Sequence, residues 1–213
     1  MEDIQFNKSQ TNIIGAGGLA REVASWLKND PKNNYNILGF WDDNLEALNN
    51  YQIDLSVLGK ISEFKKGNIH FGIMNTETKE KLFQEFIHNP EINICQFVHS
   101  SVLIGDRTSL GKGVILFPNV IVSCDIKIGD GSFVNLGSQI GHDVTIGNYV
   151  SIMPNVDLGG GCIIEDNVFI GTGTTVLPGV RIAKNTRIGA GSVVLRSIKK
   201  AGTYFGNPAK KIF

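Results

Sequence analysis

Cysteine is scarce in this 213-residue chain: Cys95, Cys124 and Cys162 are odd in number and show neither CxxC nor Cys/His spacing. That excludes a disulfide framework and a structural zinc site, and it points to a reducing compartment. An excess of either charge is also missing, since 20 Lys and Arg balance 20 Asp and Glu. With no basic field to attract phosphodiester or anionic lipid, nucleic acid and membrane surfaces are not expected partners. No apolar run approaches the ~18 residues of a membrane helix. The opening MEDIQFNKSQTN lacks the apolar core of a secretory signal, so the expected location is cytoplasmic.

What is abundant is a repeat. From Val98 through Ile104, Leu110 and onward to Ile188 and Val194, every sixth residue is Val, Ile or Leu, and no insertion breaks the phase. Four residues after each lies a small or β-branched side chain, among them Val114, Val120, Ser132, Val150, Cys162 and Thr174. Three residues after each from Ile104 to Ile188 lies Gly, Asn or Asp, with only Arg107 and Tyr149 departing. Those residue types tolerate positive φ, so a left-handed turn is specified every six residues. A period of six cannot keep to one face of a 3.6-residue helix, whereas three such turns close a triangular coil of about 18 residues. The pattern predicts a parallel β-solenoid of about five coils over 98–213.

Residues 1–97 lack the repeat and alternate strand-like with helix-like segments. Thr11–Ile14 runs into Gly15-Ala16-Gly17-Gly18-Leu19-Ala20, and an amphipathic helix follows through Leu27. Glycines at such a turn let backbone amides approach a phosphate. They also permit close packing of helix on strand, and both readings stay open. Further strands are predicted at Asn36–Trp41, ending on Asp42-Asp43, at Ile69–Met74, and at Ile92–Val98; Asn75-Thr76 caps a helix running to about Ile87. About 90 residues amount to one mononucleotide-binding half, too little for the two halves a dinucleotide needs. The expected fold is an α/β half-Rossmann (βαβαβ) domain, 1–97, followed by an all-β left-handed parallel β-helix, 98–213.

The hexapeptide Ile140-Gly141-His142-Asp143-Val144-Thr145 resembles that of the hexapeptide acyltransferases. Ile13-Ile14-Gly15-Ala16-Gly17-Gly18, Gly39-Phe40-Trp41-Asp42-Asp43 and Gly206-Asn207-Pro208-Ala209-Lys210 together resemble the NeuD family, which includes sialic acid O-acetyltransferases and PglD-like N-acetyltransferases of nucleotide-linked amino sugars. The resemblance implies a homotrimer that uses acetyl-CoA and no metal, and a role in surface glycan biosynthesis. It implies N-acetylation of a nucleotide-linked amino sugar, such as a 4-amino-4,6-dideoxy sugar, with sialic acid O-acetylation as the competing enzymatic reading. A ligand-sensing trimer without turnover is the non-enzymatic alternative, since a fold does not by itself imply an activity.

Acetyl transfer needs a base, and histidine titrates in the useful range. The register puts His142 on an exposed corner beside Asp143. By resemblance His142 is the general base, Asp143 its orienting partner and Asn135 a further polar group of the catalytic set. The nucleotide sugar would be held by Gly15, Gly17, Gly18, Leu19, Asp42, Asp43, Met74 and Asn75. Acetyl-CoA would be held by Ser151, Gly160, Thr172 and Ala190. Leu19 and Ser151 stand where relatives carry histidine, and Met74 where they carry glycine. His70, His88 and His99 are expected to be structural.

Overall fold

A computed structural model describes residues 9–33 and 35–212; the opening octapeptide, on which part of the leader reading rests, lies outside the described residues. The chain divides into two compact units: Met1–Ile73 with Gln84–Cys95, and Met74–Phe83 with Gln96–Phe213.

The first unit holds a five-stranded parallel sheet. Its elements are β1 (Ser9–Ile14), α1 (Gly18–Asn29), β2 (Tyr35–Trp41), β3 (Val57–Gly59), β4 (Gly67–Phe71), α2 (Thr76–Ile87, which continues into this unit from the other) and β5 (Ile92–Ile94), with strand order β3-β2-β1-β4-β5. Parallel strands are covered on both faces and so read as apolar runs; Ile13, Ile14, Phe40 and Ile69 are fully buried. Helix α1 turns Ala20, Val23, Ala24 and Leu27 to the sheet and leaves its polar side outside. Gly72 ends β4 where a Cβ would lie 2.4 Å from that of Ala20, so only glycine lets helix and strand meet there. The fourth predicted strand is shorter than expected and splits into Ile92–Ile94 and Phe97–Val98. Strand β3 was not foreseen; three residues amid polar neighbours give no period to read.

The second unit is a left-handed parallel β-helix. Two- and three-residue strands pair in parallel at a spacing of 18 residues, as Val122 with Ile140 and Ile140 with Leu158. They build three sheets. The aliphatic register points inward: Leu116, Val134, Ile152, Ile170 and Ile188 are fully buried in one column. Each such side chain stabilises the fold by roughly 1.5–3 kcal/mol. All fifteen turn positions from 107 to 191 have positive φ, eight of them without the help of glycine, Arg107 (φ 56°) and Tyr149 (φ 58°) included. A non-glycine residue there costs roughly 1–2 kcal/mol, and the three aliphatic side chains that every coil buries outweigh its turns. At one edge a side-chain ladder also closes the turns: Asp130 accepts the Lys112 amide, Asn148 that of Asp130, and Asp166 that of Asn148. Gly202–Phe205 and Lys210–Lys211 close the end as an antiparallel pair on the last rung.

The start of α2 packs within this second unit. Asn75 caps it, its Oδ1 accepting the Thr78 amide at 2.9 Å, and Phe83 meets Tyr149 edge-on at 5.4 Å. Lys79 is almost fully buried; its Nζ donates to Val150 O at 3.1 Å and to Ser151 Oγ at 2.9 Å. Burial lowers its pKa to about 7.

Candidate active site

His142 and Asp143 turn the corner between the strands Gln139–Ile140 and Thr145–Ile146. Asp143 takes the left-handed conformation (φ 59°) that its place in the repeat demands, and this bends its carboxylate back onto its neighbour. His142 Nδ1 lies 2.7 Å from Asp143 Oδ2, with both side chains about two-thirds exposed at 67 % and 65 %. A proton on Nδ1 donated to Asp143 fixes the tautomer that leaves the Nε2 lone pair outward. One coil above, a Cβ on Gly160 would fall 2.6 Å from Nε2 and 2.7 Å from Cε1. The imidazole therefore rests on Gly160, and the small residue is what gives it room.

One coil below lie Cys124, whose carbonyl accepts the Asp143 amide at 3.1 Å, and Asp125. Arg107 grips Asp125 with two hydrogen bonds, Nε to Oδ1 at 2.6 Å and a terminal nitrogen to Oδ2 at 2.8 Å. The Arg107 hydrogen bonds chiefly, and the Cys124 thiol next, hold the Asp125 carboxyl down at about 2. This pair was missed from sequence, although its 18-residue spacing, one full coil, carried the signal.

The other expected catalytic and cosubstrate residues do not gather at this corner. Asn135 is buried at the far end of the strand Gln139–Ile140, its Oδ1 accepting the Leu136 amide at 2.7 Å. Thr172 and Ala190 are exposed and continue the column of Pro118, Leu136 and Pro154, a different edge of the prism from that of His142 and Gly160. Ser151 is fully buried, donating to Met74 O at 2.8 Å and accepting from Lys79. That leaves it no surface for a cosubstrate, which corrects its expected place in the acetyl-CoA set. Met74 is exposed, and Asn75 caps α2.

In the first unit, Gly15, Gly17, Gly18 and Leu19 lie at the C-terminal end of β1. Gly15 has φ 93° and its amide donates to Trp41 O at 2.7 Å. Gly17 and Gly18 are exposed with open space about them, and no side chain caps α1. Uncapped amides at a helix start favour an anion. Asp42 is engaged by backbone: Oδ2 accepts the Ala16 amide at 2.7 Å and Oδ1 that of Asn44 at 2.9 Å. Its role in this structure is to shape the loop. Asp43 is exposed and accepts the Ile61 amide at 3.3 Å.

Two of the remaining histidines are engaged elsewhere. His70 is fully buried, 3.0 Å from Thr11 Oγ1 and edge-on to Tyr35. His99 Nδ1 lies 2.8 Å from Ser101 Oγ, and His88 follows the end of α2. Among the described residues no three His, Cys, Asp or Glu side chains are grouped to hold a metal ion, and no helix is long and apolar enough to cross a membrane.

Residues 10–86 match the family model described as PglD N-terminal domain, and residues 161–196 match that described as bacterial transferase hexapeptide (six repeats). Among solved structures, a mutant of perosamine N-acetyltransferase from Caulobacter crescentus in complex with CoA and GDP-perosamine is similar, with TM-score 0.84 and 25 % identity over 95 % of this chain and 96 % of that one. WeeI from Acinetobacter baumannii gives 0.80 and 26 % over 96 % and 100 %. The acetyltransferase domain of PglB from Neisseria gonorrhoeae gives 0.84 over 96 % and 100 %, and at 22 % identity it speaks to the fold.

Proposed function

Since the chain belongs to the NeuD/PglD-like family of hexapeptide-repeat sugar acetyltransferases, which draw on acetyl-CoA, we propose that it N-acetylates a nucleotide-linked amino sugar, in particular a 4-amino-4,6-dideoxy sugar, by direct transfer with His142 as general base.

The observation that carries this reading is the His142–Asp143 pair on an open edge, with its outward nitrogen seated over Gly160. An attacking amine must lose a proton as it adds to the thioester carbonyl. Nε2 takes that proton while Asp143 holds the ring and stabilises the imidazolium that forms. The tetrahedral oxyanion would be met by backbone amides, and collapse expels CoA as the thiol.

The domain division 1–97 and 98–213 carries a division of labour. The exposed Gly17 and Gly18 at the start of α1 suit the phosphates of a nucleotide sugar, with Gly15, Leu19 and Asp43 completing the acceptor set in the first unit and Asp42 holding the loop; Met74 and Asn75, expected in the same set, stand in the second unit. Gly160, Thr172 and Ala190 form the acetyl-CoA set. Thr172 and Ala190 stand on another edge than His142, so a cosubstrate touching both edges requires a neighbouring copy. A homotrimer in which one copy presents His142 and Gly160 while the next presents Thr172 and Ala190 meets that need. That the Caulobacter relative carries GDP-perosamine beside CoA supports the amine acceptor, and a cytoplasmic location follows from where acetyl-CoA and nucleotide sugars are found.

Incubation with acetyl-CoA and a panel of nucleotide-linked 4-amino-4,6-dideoxy sugars, following thiol release and the acetylated product by mass, tests the assignment. Turnover with at least one of them is expected. Thiol release with sialic acid and with none of the amines would replace N-transfer by O-transfer.

A further inference from the structure

Arg107 occupies one of fifteen left-handed turns, thirteen of which use Gly, Asn or Asp. Arginine pays for that conformation in strain, so its presence asks for a reason outside the backbone. The reason lies one coil up, where its guanidinium clamps Asp125 at 2.6 and 2.8 Å. Asp125 and Asp143 belong to one column, successive coils apart, so their backbones stack at about 4.8 Å. Two carboxylates thus stand at the corner where His142 turns outward, and only one of them is clamped.

We propose that Arg107, by holding Asp125, is a positioning residue that reserves the His142 imidazole for Asp143. The proposal rests on His142 being the base. A free Asp125 would offer the ring a second acceptor and a second negative charge. Both effects stabilise the imidazolium, which cannot take a proton, and the first also pulls Nδ1 out of line. With the clamp in place, Asp125 is neutralised by Arg107 and Asp143 alone sets the tautomer. After the Arg107 and Cys124 hydrogen bonds, His142 adds a minor pull that lowers the Asp125 carboxyl, and after Asp125, Asp143 adds a minor one that raises the Arg107 guanidinium. The ionisable groups facing His142 are Asp143 on its own turn, Cys124 and Asp125 on the coil below, and Asp106 and Arg107 two coils below. The residues above it in the same two columns, Gly160, Gly161, Pro178 and Gly179, carry none.

Arg107→Asn is the suited variant, because asparagine accepts the same turn, as Asn119 and Asn155 do. The four histidine rings are followed by NMR across pH 5 to 9 in the full chain, with the His142 signal assigned by its loss in His142→Asn. Arg107→Asn is expected to move the His142 midpoint upward by a few tenths of a pH unit, the scale of one added nearby charge in a water-like dielectric. Asp125→Asn, which leaves the guanidinium unmatched, is expected to move it downward. The double variant should return close to the wild type, and 1 M salt should shrink both shifts. The acid limb of the transfer rate should move in parallel. A midpoint unmoved in both single variants overturns the proposal whatever the transfer assay gives. Full transfer by His142→Asn would instead overturn the base assignment beneath it, and the ring titration, which needs no substrate, separates the two failures.

Discussion

Replacing Lys79 by methionine should stabilise this protein at neutral pH and destabilise it in alkali. The side chain is buried, and its Nζ meets only neutral acceptors, Val150 O and Ser151 Oγ. Desolvation lowers its pKa from 10.5 to about 7, whereas the unfolded chain keeps the ordinary value. Between these limits the unfolded state binds the additional proton, so stability rises with pH across the window from about 7 to 10.5. Below pH 7 the full cost is present. At 1.36 kcal/mol per unit the shift corresponds to about 4–5 kcal/mol there, and under 1 kcal/mol remains at pH 10. Methionine removes that cost and forfeits two hydrogen bonds worth about 1 kcal/mol each. Ser151 still donates to Met74 O, and Val150 O still accepts the Phe133 amide. The net is a gain of about 2 kcal/mol at pH 7, a crossing near pH 9 and a loss of about 1 kcal/mol at pH 10. Urea unfolding of the full chain at pH 7, 8, 9 and 10 reads this directly. A Lys79→Met variant less stable than the wild type at every pH would refute the reasoning, because the lysine would then be worth more in place than its burial costs.

Gly160→Ala places a methyl within 2.6 Å of Nε2; it should displace the imidazole and lower kcat at least tenfold in steady-state transfer assays. Ile152→Ala empties a fully buried position in the prism and should cost about 2–5 kcal/mol in chemical unfolding. Asp42→Ala leaves the Ala16 amide without its 2.7 Å acceptor. It should loosen the glycine loop and raise KM for the nucleotide sugar several-fold, with KM for acetyl-CoA unchanged in a two-substrate kinetic matrix.

The prism was legible from its phase. A strict period of six fixes which side chains point inward and where each turn falls, and even the departures Arg107 and Tyr149 adopt the left-handed turn their register dictates. Local pattern could not show what a distant segment brings to the prism. Tyr149 is explained by Phe83, and Ser151 by Lys79 and Met74. Lys79 itself sits in a charged stretch, Glu77 to Lys81, which an amphipathic reading assigns to solvent. The His142–Asp143 pair was readable because neighbours on a tight corner must meet. Asn135, Thr172 and Ala190 were grouped with it through resemblance, yet steps of six visit the three edges in turn, so their distance from His142 was already written in their numbers. In the first unit the long apolar strands were legible and β3 was not, since its edge position is set by pairing with β2.

The central claim is that the outward nitrogen of His142 removes the proton that acetyl transfer requires. Its most direct test is thiol release from acetyl-CoA, with a nucleotide-linked amino sugar that the wild type accepts, by wild type and by His142→Asn at pH 7.5 under saturating substrates. The predicted result is a fall in kcat of about 10²–10⁴-fold, with both KM values within a few-fold of the wild type; a variant that keeps kcat within a factor of two would contradict the claim.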